Sequence, residues 1–259
     1  MASTARYLAI TREISPAIEQ CELTHLERTT IDLVRARAEH ELYEAALRAL
    51  GCEIVRLAAG PDMPDSVFIE DMAVVLDELA VITRPGAASR RVETAAVAAA
   101  LRSHRPIAAI LGPGTLDGGD VQLIGRTLYV GVGHRTNDAG VRQLRSIVAS
   151  QGYSVEAVPF AGCLHLKSAI SLVADDVLLV NPEWVEASRF ARCRTMNVDP
   201  AEPYAANAVL LGDSIIYPAE HVRTLRQLEQ AGIRVRSVPA AELAKAEGAV
   251  TCCSLILRK

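Results

Sequence analysis

The chain lacks most of the features that would make a function easy to name. No run of Lys or Arg is long enough to form a basic patch, and the formal net charge is −4, so nothing favours nucleic acid as a partner. No apolar run approaches the roughly 18 residues needed to span a bilayer. The stretch Met1 to Ile10 has neither the basic start nor the long apolar core of a secretory signal. The six cysteines, Cys21, Cys52, Cys163, Cys193, Cys252 and Cys253, include no CxxC pair and no zinc-ligand spacing. Reduced thiols in a cytoplasmic protein are expected, most of them structural.

Several familiar motifs also fail. Gly112-Pro113-Gly114 follows an apolar stretch, but Asp117 stands where a dinucleotide fingerprint needs its third glycine. There is no GxSxG, no HExxH and no P-loop lysine. Neither a nucleotide cofactor nor a catalytic metal is indicated, and the expectation is an enzyme without a cofactor.

What is present is a repeat. At 259 residues, half of them hydrophobic and 22% charged, the chain suits one soluble α/β domain spanning 1–259. Tyr7–Ile10 reads as a strand, Thr11–Thr29 as a polar functional loop, Thr30–Leu50 as a helix stopped by Gly51, and Glu53–Leu57 as a strand. Two short strands then flank Asp77-Glu78, followed by an Ala-rich helix over Ala88–Ser103 and a strand over Ile107–Leu111. The same order returns with turns at Gly125-Arg126, Asp175-Asp176 and Gly212-Asp213. Each copy runs hairpin, helix, strand at intervals of roughly 40–50 residues, the pattern of a closed array. The two chain ends supply the remaining copy. Five αβ units around a pseudo-axis, with a polar channel at the centre, are predicted. An open doubly wound sheet ranks second, because it does not require the repeated hairpins.

Polar residues occur in unusual places. In Pro64-Asp65-Ser66-Val67-Phe68-Ile69-Glu70-Asp71, three carboxylates border an apolar run that leads into a core strand. A turn role explains Asp65, but adjacent Glu70 and Asp71 repel unless a cation lies between them. Leu116-Asp117-Gly118-Gly119-Asp120 repeats the theme, and a glycine turn carrying a solvated acid accounts for it equally well. Arg90 is placed at the start of a helix, against the helix dipole, and Arg135 lies just before another helix. A pair of arginines suits a carboxylate-bearing ligand. His165 stands on an apolar stretch, where a core role is the commoner one, whereas His25, His40, His104 and His221 are placed on surfaces. Val250-Thr251-Cys252-Cys253-Ser254-Leu255 reads as a terminal strand, whose alternation would turn one cysteine to the core and the other to a cleft. From that stretch alone a buried, inert Cys252 is the simpler reading.

The motifs together carry a resemblance. The Asp65–Asp71 and Asp117–Asp120 segments just described, with Ile82-Thr83-Arg84-Pro85-Gly86-Ala87, Arg135-Thr136-Asn137, Leu164-His165-Leu166-Lys167, Tyr204-Ala205-Ala206-Asn207 and Thr251-Cys252-Cys253-Ser254-Leu255, occur in the order found in the dimethylarginine dimethylaminohydrolase family. The set covers nearly the whole chain. The resemblance implies a five-bladed αβ propeller of the guanidine-modifying (pentein) superfamily, acting without a cofactor or metal on a small guanidino amino acid. It implies that Cys252 is the nucleophile, His165 the general acid/base and Asp117 an acidic residue that helps hold the guanidinium or orient the histidine. Glu70 and Asp71 would bind guanidino nitrogens, with Asp65 lining the pocket. Arg90 and Arg135 would clamp the substrate carboxylate, Leu23 would belong to a lid, and Ala246 would contact substrate through its backbone. The same resemblance leaves arginine deiminases, amidinotransferases and a non-catalytic binding propeller as alternatives, and leaves a homodimer open.

Overall fold

The computed structural model describes residues 6–259; the chain start considered above, through Ala5, lies outside them. Five three-stranded sheets follow one plan. A first strand pairs antiparallel with a second, and the second pairs parallel with a third that returns after a crossover, α-helical in four sheets and in the other only a 3-10 turn, Ala187–Phe190, where the repeat predicted a helix. Ala73–Val75, Ala80–Ile82 and Ile107–Ala109 form one such sheet. Val121–Ile124, Thr127–Val132 and Ser154–Pro159 form the next. Ile170–Ala174, Val177–Val180 and Arg194–Asn197 form the third, and Val209–Leu211, Ser214–Pro218 and Arg234–Val238 the fourth. In the fifth, the C-terminal strand Leu255–Arg258 pairs antiparallel with Tyr7–Arg12, which pairs parallel with Cys52–Leu57. The two ends of the chain thus close the ring, as the repeat predicted.

Local chemistry explains the plan. The hairpin turns at Gly125 and Gly212 have φ of +59° and +60°, a left-handed conformation that tight hairpins require and glycine tolerates. The helix Leu33–Ala49 starts at Asp32, whose carboxylate accepts from the N–H groups of Val34 and Arg35, an N-cap of about 1 kcal/mol. It ends before Gly51 at φ +89°. The first strands of all five sheets line a common central cavity of about 1380 Å³, whose lining also includes Glu70, Gly118, Lys167 and Thr251. Among the described residues no helix is long and apolar enough to cross a membrane.

Four expectations need correction. The strand expected over Val250–Leu255 begins only at Leu255, and Thr251–Cys253 is a 3-10 turn. Its backbone is held in a turn because Asn207 Oδ1 takes the Thr251 N–H and the Ala249 carbonyl takes that of Cys252. The helix expected over Ala88–Ser103 starts as a 3-10 turn, Ala88–Glu93, and becomes α-helical only over Thr94–Leu101. Arg90 is therefore a full turn before the α-helix, and its charge is balanced by carboxylates rather than set against a dipole. His40 is buried, at 4% exposure, instead of lying on the surface. Burial keeps its imidazole from protonating and lowers its pKa to about 4. The Thr11–Thr29 segment is not wholly irregular, since the first strand extends to Arg12 and Ile14, Ile18 and Cys21 are buried.

Candidate active site

The site is assembled from four turns, each at the start of a first strand or of the helix that leads into one. Ile69–Met72 is a 3-10 turn whose apolar residues, with Val67 and Phe68, are fully buried. Burying Phe68 and Ile69 contributes about 1.5–3 kcal/mol each, and that anchorage holds Asp65, Glu70 and Asp71 below 9% exposure in spite of their charge. Gly118–Asp120 packs against this turn, as does the Cys252 turn, and the short helix Leu166–Ala169 packs on Gly118–Asp120. The closeness demands glycine. A Cβ on Gly118 would lie 2.0 Å from the Glu70 carbonyl oxygen, and one on Gly119 would lie 2.7 Å from His165 Nδ1 and 2.8 Å from Asp71 Oδ1.

His165 sits between two carboxylates. Its Nε2 is 3.0 Å from Asp117 Oδ2, and its Nδ1 is 3.8 Å from Asp71 Oδ1. Burial favours the neutral ring, yet Asp71, the Asp117 hydrogen bond and Asp120 outweigh it and raise the His165 pKa to about 9. At neutral pH the ring is an imidazolium that can give up a proton. Each carboxylate has further partners. Asp71 accepts from Arg90 and from the Gly119 N–H, and Asp117 Oδ1 accepts the Gly86 N–H at 2.8 Å. Asp71, Asp117 and His165 place possible ligand atoms within 4.8 Å of one another, but these bonds already occupy both carboxylates, and the group is a hydrogen-bonded proton site rather than an open cation cage.

Asp120, fully buried, accepts from Thr136 Oγ1 at 2.6 Å and from the Leu166 N–H at 3.0 Å. Burial lifts its carboxyl to about 7. It fixes the chain on either side of the site, next to Arg135 and next to His165.

The two arginines differ. Arg90 is enclosed at 4% exposure and bonds Asp71, Glu93 and the carbonyls of Asp65 and Phe68. One proton on its Nη1 is left for a ligand. Arg135 approaches Asp117 Oδ2 at 4.0 Å, and its backbone passes against Gly86, where a Cβ would meet the Arg135 carbonyl oxygen at 2.5 Å. Glu70 lies across the site; its Oε1 accepts from Lys167 Nζ at 2.7 Å, while Oε2 is buried without a partner. That free oxygen is available to an incoming N–H donor.

Cys252 is half-buried and Cys253 is buried. Burial, then Glu70 and Asp71, push the Cys252 thiol up to about 12. Leu23, Phe68, Ala246 and Cys252 share one apolar cluster. The Leu23 loop is tied down beside them. Both Asp65 oxygens accept the Glu22 N–H at 3.2 Å, and Glu247 Oε1 accepts from the N–H groups of Thr24, His25 and Leu26. Glu247 adopts φ +56° to do this, a conformation uncommon outside glycine and asparagine.

Asp65, Glu70, Asp71, Arg90, Asp117, Arg135, His165 and Cys252 thus come together, and Leu23 and Ala246 join them through the apolar cluster that includes Cys252. Glu93, Lys167, Asn207, Thr251 and Glu247 join them and were not assigned a role from sequence. Lys167, Asn207 and Thr251 stand inside the quoted motifs, which was the available signal, whereas Glu93 and Glu247 carried none.

The charge arrangement has a measurable consequence. With Asp117→Asn, the His165 ring loses one of the carboxylates that oppose the effect of burial. The alkaline limb of the kcat/KM profile, expected near pH 9 for the wild type, then moves to lower pH, toward the ordinary histidine range near 6.5. A pH profile of both proteins checks this.

Known proteins match most of the chain. Residues 60–203 match the family model described as arginine deiminase. The chain is 41% identical over 254 residues to the N(G),N(G)-dimethylarginine dimethylaminohydrolase of Streptomyces coelicolor, covering 97% of each. The Pseudomonas aeruginosa enzyme, solved as a cysteine-to-serine mutant complexed with citrulline, superposes with a TM-score of 0.93 at 31% identity, covering 97% of this chain and 99% of that one. A histidine-to-glycine dimethylarginine dimethylaminohydrolase, solved as an adduct with S-methyl-L-thiocitrulline, gives a TM-score of 0.91 at 32% identity, covering 96% of this chain and 98% of the other. With this coverage, this fold and these motifs, the chain belongs to the dimethylarginine dimethylaminohydrolase family.

Proposed function

We propose that the protein hydrolyses Nω-methylated arginines to citrulline and dimethylamine or methylamine, with Cys252 as nucleophile. The observation that carries this reading is the combination of a thiol beside Glu70 and Asp71 with an imidazolium held between Asp71 and Asp117. The family's dimethylarginine hydrolases and their complexes with citrulline and a thiocitrulline adduct support it. Five sheets on one plan, the fifth pairing strands from the two ends of the described chain, support a single domain.

A guanidinium stays charged below a pKa of about 12 and resists attack because its charge is delocalised. Glu70, with one free oxygen, and Asp71 receive its N–H groups and set the plane of the carbon, an orientation advantage. Arg135, with the remaining Nη1 proton of Arg90, receives the substrate carboxylate, and Asp65, Leu23 and the Ala246 backbone enclose the rest. In the free protein two carboxylates oppose thiolate formation at Cys252. The bound cation offsets them and favours the thiolate where it is needed.

Cys252 Sγ then bonds to the guanidinium carbon, giving a tetrahedral adduct. His165 donates its proton to the methylated nitrogen, the C–N bond breaks, and the amine leaves with its electron pair. The neutral imidazole next takes a proton from water as the water oxygen bonds to the thiouronium carbon. The C–S bond breaks, Cys252 leaves as thiolate, the hydroxyl proton of the adduct passes to solvent as the urea carbonyl forms, and citrulline departs.

The match to the arginine deiminase family model favours one second reading, hydrolysis of unmethylated arginine to citrulline and ammonia. A citrulline assay with asymmetric dimethylarginine, monomethylarginine and arginine separates the two. The first reading expects kcat/KM on the methylated substrates to exceed that on arginine by at least about tenfold, a difference of about 1.4 kcal/mol. Citrulline from arginine alone would retain the chemistry and replace the substrate.

A further inference from the structure

Asn207 joins the turn bearing Cys252 to the segment that follows His165. It is 2% exposed. Its Nδ2 donates to the Lys167 carbonyl at 3.1 Å and to Thr251 Oγ1 at 2.9 Å, and its Oδ1 accepts the Thr251 N–H at 3.0 Å. Chemistry fixes this orientation. A peptide carbonyl only accepts and a peptide N–H only donates, so a flipped amide would set like against like at both ends. The Thr251 hydroxyl oxygen therefore accepts from Asn207, and its own proton must point elsewhere. Thr251 Oγ1 lies 3.9 Å from Cys252 Sγ, and Thr251 is itself only 8% exposed.

We propose that Asn207 is a positioning residue that turns the Thr251 hydroxyl onto Cys252 Sγ, so that Thr251 donates a hydrogen bond to the nucleophilic thiolate. The inference rests on the reading of Cys252 as nucleophile. The charged groups facing the sulfur are Glu70 and Asp71, with Lys167 bonded to Glu70 and His165 bonded to Asp117 across the site. Both carboxylates and burial disfavour the thiolate, and the Thr251 hydroxyl acts in the opposite direction. A donor to sulfur stabilises the ionised form alone. It therefore helps when the thiolate attacks and again when it leaves the thiouronium. By holding the Lys167 carbonyl as well, the same amide keeps the nucleophile and acid/base segments in register.

The test is the rate of iodoacetamide alkylation at Cys252, resolved from Cys253 by peptide mass spectrometry. It is measured between pH 8 and 10, where the rate tracks the thiolate fraction. Thr251→Val keeps the side-chain shape and the backbone bond to Asn207 but removes the hydroxyl. Its alkylation is expected to be about tenfold slower at each pH, equivalent to a thiol pKa about one unit higher. Thr251→Ser is expected to return close to the wild-type rate. Asn207→Ala is expected to slow alkylation similarly, with the double variant no slower than Thr251→Val alone, because Asn207 acts through Thr251. A wild-type rate in Thr251→Val, or Asn207→Ala and Thr251→Val effects that multiply, would overturn the proposal. If Asn207→Ala does not fold, the Thr251 pair decides. Cys252→Ser separates the two levels. Citrulline formation retained in that variant would sink the nucleophile reading, whereas activity lost there with normal alkylation in Thr251→Val would sink this inference alone.

Discussion

Cys252→Ser is expected to lower kcat for citrulline formation from asymmetric dimethylarginine by on the order of 10⁴-fold or more, with the melting temperature close to that of the wild type. The size of the loss follows from the role. A serine hydroxyl at the same place cannot ionise beside Glu70 and Asp71, even with the substrate cation bound, so the covalent step is removed rather than slowed. The stability expectation follows from burial. Cys252 is only half-buried, whereas Cys253 is buried and its Sγ approaches the Ala249 carbonyl at 3.5 Å. The same substitution at Cys253 is therefore expected to cost stability and to spare much of the chemistry. Steady-state kinetics and thermal melts on both variants check the contrast.

His165→Ala is expected to reduce kcat by about 10²–10⁴-fold, since the proposed mechanism assigns it both the protonation of the leaving amine and the activation of water. It also has a stability signature with a definite sign. The His165 pKa is raised to about 9 in the folded protein, above its ordinary value. The imidazolium therefore contributes stability that is fully present below pH 6.5 and is lost as the pH rises through about 9. Removing the ring lowers the melting temperature more at pH 6 than at pH 10. The reason is physical: Asp71 and Asp117 are buried within reach of the ring, and without it their mutual repulsion has only Arg90 and Arg135 to offset it. An equal loss at both pH values would show that His165 is not charged in the folded protein.

Much of the architecture was legible because it is local and repeated. Hairpin turns at Asp77, Gly125, Asp175 and Gly212, each followed by an apolar crossover and a β-rich run, announced the units in order. Glu70, Asp71, Arg90 and Arg135 stood out because charged residues beside apolar runs or at helix starts are not explained by solvation alone, whereas Cys252, His165 and Asp117 had structural readings at least as simple and were singled out by the resemblance. The geometry of the Cys252 turn was not. An apolar, β-branched stretch reads as a strand until the distant Asn207, 44 residues away in sequence, is seen to hold its backbone in a turn. The same limit hid the Lys167–Glu70 pair, 97 residues apart, and the grip of Glu247 on the Leu23 loop, more than 220 residues away. Pairwise partners at such separations leave no periodic trace in a single sequence. Arg90 was misjudged for a related reason: Glu93 on the same turn is a local partner, but the Asp71 carboxylate and the Asp65 and Phe68 carbonyls around its guanidinium come from 19 to 25 residues away.

The central claim is that Cys252 forms the covalent bond to the guanidino carbon. The most direct measurement is peptide mass spectrometry of His165→Gly protein that has been mixed with asymmetric dimethylarginine or S-methyl-L-thiocitrulline and quenched in acid. The expected result is the substrate skeleton, less its leaving group, attached to Cys252 and to no other cysteine. An adduct on Cys253 or Cys163, or citrulline formed by Cys252→Ser protein, would contradict the account.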